Sequence, residues 1–152
     1  MVFKDYVELL SKELGVEIET TGDACAFSLG SEDGEKVEIL MQGIEDKGTL
    51  LTCADLGEPP LEGRERLFQT LLEANDLYGD TAGAMLSLNP RTGRVRLQRY
   101  DDMDVLSQLG PARALTVFAD TAAAWKRLIA DFRDAPSKES DDMSKPFDAM
   151  MV

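Results

Sequence analysis

Three aspartates crowded together, Asp101, Asp102 and Asp104, are the densest group of oxygen ligands in the chain. Such spacing suggests a calcium loop, but that loop needs further oxygen donors, a glycine at its sixth position and a closing glutamate. "DDMDVLSQLG" turns apolar at once and has none of them in register. Asp23, Glu32, Asp33 and Glu35 fall in segments that read as hairpin loops, where solvated charge is ordinary. Two carboxylates can do acid–base work, yet nothing ties any pair of these to a buried cleft. There is no histidine, which removes the commonest general base, the imidazole-assisted nucleophiles and every imidazole metal ligand. Cys25 and Cys53 are too far apart to form a zinc-binding pair. "GDTAG" (Gly79 to Gly83) follows a helix instead of opening one, so no helix N-terminus is there to hold a phosphate. No Gly-Lys-Ser/Thr loop occurs either. These residues predict no enzyme, no metal centre and no cofactor, and direct attention to surfaces.

Bulk properties narrow the partners. The 152 residues suffice for one domain with a real core. A net charge of −13 repels nucleic acid and anionic lipid, so neither is expected as a partner. No apolar run is long enough to span a membrane. The start, "MVFKDYVELL", carries Lys4, Asp5 and Glu8 and does not read as a signal peptide. The expectation is a cytoplasmic protein whose cysteines stay reduced.

The surfaces must be built from an α+β domain in the order α-β-β-β-α-β-β-α, predicted over residues 1–132 as an antiparallel sheet covered by helices. Phe3, Val7, Leu10 and Leu14, with Tyr6 beside them, make one helical stripe, and Gly15 stands at its C-cap. Three period-two segments follow. Cys25, Phe27 and Leu29 lie opposite Ala24, Ala26 and Ser28. Val37, Ile39 and Met41 lie opposite Glu38, Leu40 and Gln42. Leu51 and Cys53 lie opposite Leu50, Thr52, Ala54 and Leu56. Leu40 and Leu50 are apolar on faces that a one-sided sheet would leave polar. Pro59 and Pro60 break the pattern. A helix then runs from about residues 61–64 to Leu77, closed by Gly79. "GAMLSLNPRTGRVRLQRY" reads as a hairpin, whose Arg94, Arg96 and Arg99 give a positive strand face, read as solvated. After a connector comes a long helix opening at Pro111, with Leu115, Phe118, Ala122, Trp125, Ile129 and Phe132 on one side. From residue 133 to 152 the period stops, predicting a disordered polar tail that contains Phe147, Met150 and Met151.

The middle helix is too greasy for one core. Leu67, Phe68, Leu71, Leu72 and Ala74 spread over an arc of roughly 160°, with Asn75 inside it, where ~100° is enough to seat a helix. The excess must meet a second layer or a second chain.

The stretch "LLEANDLYGDTAGAMLSLNPRTGRVRLQRYDDMDVLSQLG", followed by "FADTAAAWKRLI", resembles the class I chaperones of type III secretion, the Tir chaperone family. Leu71, Leu72, Ala74 and Asn75 end a helix, Gly83 precedes a strand, "LSLN" and "GRVRL" form a hairpin, and Phe118 and Trp125 sit on the last helix. The leading helix, "ACAFSL" and the strand pair running into Pro59 and Pro60 agree in outline. The resemblance implies a non-enzymatic cytoplasmic homodimer that binds the N-terminal region of a secreted effector in extended form and keeps it competent for export. A contact with the secretion ATPase belongs to the same picture. It also implies that the middle helix forms the dimer interface, making Leu67, Phe68, Leu71, Leu72 and Asn75 interface candidates. Apolar grooves and a sheet edge for an added strand would take the effector. Phe3, Val7, Leu10, Phe27, Leu29, Ile39 and Met41 are the candidate groove residues, and for each of them plain core is the more ordinary reading. A small-ligand-binding or regulatory α+β module is the alternative.

Overall fold

Phe3, Tyr6, Val7 and Leu10 recur at helical spacing, and all four are buried along one side of α1 (Phe3–Leu14). Gly15 ends that helix in the left-handed conformation that glycine adopts at least cost. The chain is described here by a computed structural model over residues 1–44 and 47–134. It continues through β1 (Ala24–Gly30), β2 (Lys36–Ile44), β3 (Thr49–Gly57), α2 (Arg64–Asn75), β4 (Met85–Leu88), β5 (Val95–Asp102), α3 (Met103–Leu109) and α4 (Pro111–Asp134). The predicted element order holds, with α3 added where the sequence suggested a connector. The expected tail lies outside the described residues from position 135 on, and α4 runs to Asp134.

The strands form one antiparallel sheet in the order β1-β2-β3-β5-β4. Register divides its side chains into two faces. Phe27, Ile39, Ala54, Leu97 and Leu86 form a row across all five strands, and Cys25, Met41 and Thr52 lie beside it. This face is covered. Leu115, Phe118, Ala122 and Ile129 of α4 join the same buried cluster, with α1 and α3 beside them. The helix-to-sheet approach is closest at Gly43, where a Cβ would stand 2.5 Å from the Cβ of Phe3, so only glycine lets α1 lie down there.

Leu50 belongs to this covered face and Leu51 and Cys53 do not, the reverse of the outward place expected for Leu50. The reason is register. Leu40 pairs with Cys53, so residues in phase with Cys53 share the face of Leu40. A central strand apolar on both sides gives no phase of its own.

The opposite face carries the rows Ala26–Leu40–Cys53–Gln98–Met85 and Ala24–Gln42–Leu51–Tyr100. Along β2 the residues of this face are exposed while their neighbours are buried. Leu40 is 45% exposed and Tyr100 60%. The sheet therefore has one packed face and one open, partly apolar face.

Candidate protein-binding site

The aspartates that suggested a metal loop have structural tasks. Asp101 accepts from Arg99 Nε at 2.9 Å. Asp102 caps α3 by accepting from the backbone N–H groups of Asp104 and Val105. Asp104 pairs with the N-terminal ammonium at 3.0 Å. Among the described residues no group of carboxylates and thiols could hold a metal. Cys25 and Cys53 are free, buried and on opposite faces, with β2 between their strands. Burial pushes the Cys25 thiol up to about 11 and raises Cys53 also, the latter opposed by Arg96. Both are thus poor nucleophiles near neutral pH. Beneath α4, a cavity of about 20 Å³ between Tyr6, Thr52, Arg99 and Asp101 has room for about one water molecule, too little for a ligand.

The arginines of the β4–β5 hairpin divide. Arg94 makes a two-pronged contact with Asp55 and reaches Glu58. Burial alone would raise the Asp55 carboxyl, but hydrogen bonds from Arg94 and from the Gly57 N–H hold it below its usual value. Arg99 is taken by Asp101 and the Ala82 carbonyl. Arg96, on the open face, reaches only Ser87 Oγ at 3.4 Å and has no carboxylate partner among the described residues.

What remains is surface, in three parts. The first is the open sheet face. The second is the edge of β1. Ala24 exchanges both backbone bonds with Thr21, away from β2. By the alternation of an antiparallel pair, Ala26 and Ser28 also turn their N–H and C=O groups outward, and these have no partner among the described residues. The other edge, β4, is capped at Leu86. Asn75 Oδ1 accepts from the Leu86 N–H at 2.8 Å and Asn75 Nδ2 donates to the Leu86 carbonyl at 3.0 Å. A single carboxamide thus stands in for a neighbouring strand. Asn75→Ala should leave both partly buried groups unpaired, costing about 1–2 kcal/mol, and lower Tm by about 2–8 °C for a domain of this size. Thermal unfolding followed by circular dichroism checks this.

The third surface is the outer side of α2 with the turn after it. Leu72 is 71% exposed and Phe68 half-buried. Beyond α2, Leu77 and Tyr78 hold left-handed backbone at φ 57 and 56, which costs a non-glycine residue roughly 1–2 kcal/mol. Both side chains are exposed, with Met85 also exposed on β4. The turn is held by hydrogen bonds from the Gly83 N–H and the Thr81 hydroxyl to the Tyr78 carbonyl, which fix both side chains in their outward places.

The predicted residues are distributed unevenly over these surfaces. Phe3, Val7, Leu10, Ile39 and Met41, offered as groove residues, are buried in the chain's own core. Phe27 and Leu29 are half-buried at the β1 rim of the covered face. Of the interface residues, Leu67 and Leu71 are buried within the chain, Asn75 bonds β4, and Phe68 and Leu72 reach the surface. Sequence reasoning passed over Leu51, Cys53 and Tyr100 on the open face. Leu40, apolar in an outward phase, was the signal that could have found them.

A helix-backed antiparallel sheet with an open, partly apolar face and a free edge offers surfaces that suit an extended protein chain. The chain belongs to the Tir chaperone protein (CesT) family, whose description it matches over residues 6–126, and is thereby a type III secretion chaperone. Three solved structures show the same fold. A chain of the ExsC–ExsE complex matches with TM-score 0.64 and 20% identity, over 85% of this chain and 97% of that one. A chain of the HopA1–SchA chaperone–effector complex gives 0.61 and 18%, over 88% and 94%. A chain of the heterodimeric ExoU–SpcU complex from the type III secretion system of Pseudomonas aeruginosa gives 0.59 and 20%, over 83% and 95%. No curated protein matches significantly. No helix among the described residues is long and apolar enough to cross a membrane.

Proposed function

We propose that the protein works in the cytoplasm as a homodimer that binds the N-terminal region of a type III secreted effector in extended form and keeps it export-competent. The observation that carries this reading is the open apolar sheet face beside the unpaired β1 edge. An extended chain adds a strand through its backbone and places alternate side chains against apolar positions. Leu40, Leu51 and Tyr100 are the face residues it would meet, with Phe27 and Leu29 at the rim. Phe3, Val7, Leu10, Ile39 and Met41 serve from below, holding helices and strands in place. Dimerisation uses the outer side of α2, Phe68 and Leu72 with Leu77, Tyr78 and Met85. A contact between the loaded dimer and the secretion ATPase follows from the family resemblance and is part of the same proposal.

A ligand-binding module would need a pocket, and the cavity under α4, with room for about one water molecule, does not supply it. The two readings separate by protease digestion of the chaperone mixed with candidate effectors. A segment of tens of residues at one partner's N-terminus should survive without becoming globular, and binding should show a negative heat-capacity change. A small metabolite that raises Tm, with no protected peptide from any candidate, would overturn the chaperone reading.

A further inference from the structure

The open face has a cation at its rim and apolar rows further in. Arg96 lies in one row with Asp55 and Ser87, next to the row of Leu40 and Cys53, which in turn adjoins that of Leu51 and Tyr100. On a chain of net charge −13, Arg96 faces Asp55, but that carboxylate is held by Arg94, and Arg96 makes no ion pair among the described residues. The last helix ends beside the same rim. Phe132 packs under Arg66 at 5.8 Å, and Arg133 approaches Gly57, the last residue of β3. The β3–β5 register brings Gly57 opposite Val95, one residue before Arg96. The chain therefore leaves its last helix at the end of the sheet where Arg96 stands.

Residues 135–152 follow. Their residue types come in the same order as those of the face. Glu139, Asp141 and Asp142 come first, between Lys138 and Lys145, and Phe147, Met150 and Met151 last, with Asp148 among them. Length permits the match. Eighteen residues span up to roughly 60 Å, whereas rounding the rim and crossing a five-stranded sheet takes about 30–35 Å, from ~10 Å of layer thickness and ~4.8 Å per strand. Tethering supplies an effective concentration on the order of millimolar, so even a weak fit fills the face.

We propose that the chain's own C-terminal segment is the resting occupant of the open sheet face, with its acidic run over Arg96 and Phe147, Met150 and Met151 on Leu40, Leu51 and Tyr100. It shields apolar surface in the free protein and is displaced by an incoming extended chain. That displacement rests on the open face being the effector's seat; the occupancy itself does not.

The test is made first without any effector. A nitroxide is attached at Met150→Cys in the full chain carrying Cys25→Ala and Cys53→Ala, and leucine methyl signals are compared before and after its reduction. Leu40 and Leu51 should be broadened at least about threefold more than Leu72 and Leu109, since a docked label stays close to one face while a free one samples all of them. Uniform broadening, or broadening centred on Leu72 or Leu109, overturns the proposal. A chain ending at Asp134, and a full-length Phe147→Ser/Met150→Ser/Met151→Ser variant, should each bind about threefold more of the apolar dye bis-ANS, with Tm moved by no more than a few degrees. Unchanged dye binding in both also overturns it. Protease protection of an effector by a chain whose label broadens nothing would sink the resting-occupant proposal alone. A docked label without protection of any effector would sink the chaperone reading alone.

Discussion

Leu72→Asp should turn the proposed dimer into a folded monomer, while Leu71→Asp should not fold at all. The two leucines are neighbours on α2 with opposite surroundings. Leu71 is buried against its own chain and Leu72 is exposed. A two-fold interface repeats any substitution, so losing Leu72 removes two buried side chains, about 3–6 kcal/mol per dimer at ~1.5–3 kcal/mol each. That raises the dimer Kd from about a hundredfold to more than ten-thousandfold. A carboxylate at position 71 is instead buried without a partner, a cost of several kcal/mol against a typical total stability of about 5–15 kcal/mol. Sedimentation velocity and circular dichroism together separate the outcomes. If the unmodified protein sediments as a monomer at micromolar concentration, α2 is not a dimer interface.

Positions 40 and 41 should behave in the same opposed way. Met41 lies within the core on the covered face, and Met41→Asp should unfold the domain. Leu40 lies on the open face, so Leu40→Asp should leave Tm within a few degrees. The effector-bound state is another matter. There Leu40 would be covered, and a carboxylate should weaken binding by about 10–100-fold, corresponding to ~1.5–3 kcal/mol of lost apolar contact. Isothermal titration with an effector found by protease protection reads this, with dimerisation checked in parallel. Undiminished binding by Leu40→Asp would remove the open face from the effector's path.

Legibility in the sequence followed how many faces an element buries. α1 and α4 each pack on one side, and their stripes were read correctly down to Gly15 and Pro111. β3 is apolar on both sides, so its alternation gave the period without the phase, and Leu50 was set on the wrong face until β2 supplied the register. α2 presented the same ambiguity around a helix. Its wide arc foretold two contacts, but only the packed chain separates Leu67 and Leu71 from Phe68 and Leu72. Groove candidates such as Phe3 and Ile39 were legible as apolar, with core the more ordinary reading, and burial settles them as core; a hydrophobic side chain looks the same in sequence whether it meets its own chain or another. Asn75 gave no hint that both ends of its amide would be used, since its partner is a backbone eleven residues away.

That amide also sets the valence of the sheet. An antiparallel sheet left open at both ends is divalent: it can accept a strand on either side and so extend from molecule to molecule. Here Asn75 occupies one bond-forming end, and the β1 edge is the other. The protomer therefore offers the β1 edge as its longer free edge towards extended chains. Two protomers joined through α2, beside the capped edges, would hold two such edges, one per subunit. Such a dimer would take two strands directly, one on each β1 edge, and growth beyond them would need the outer edge of an added strand.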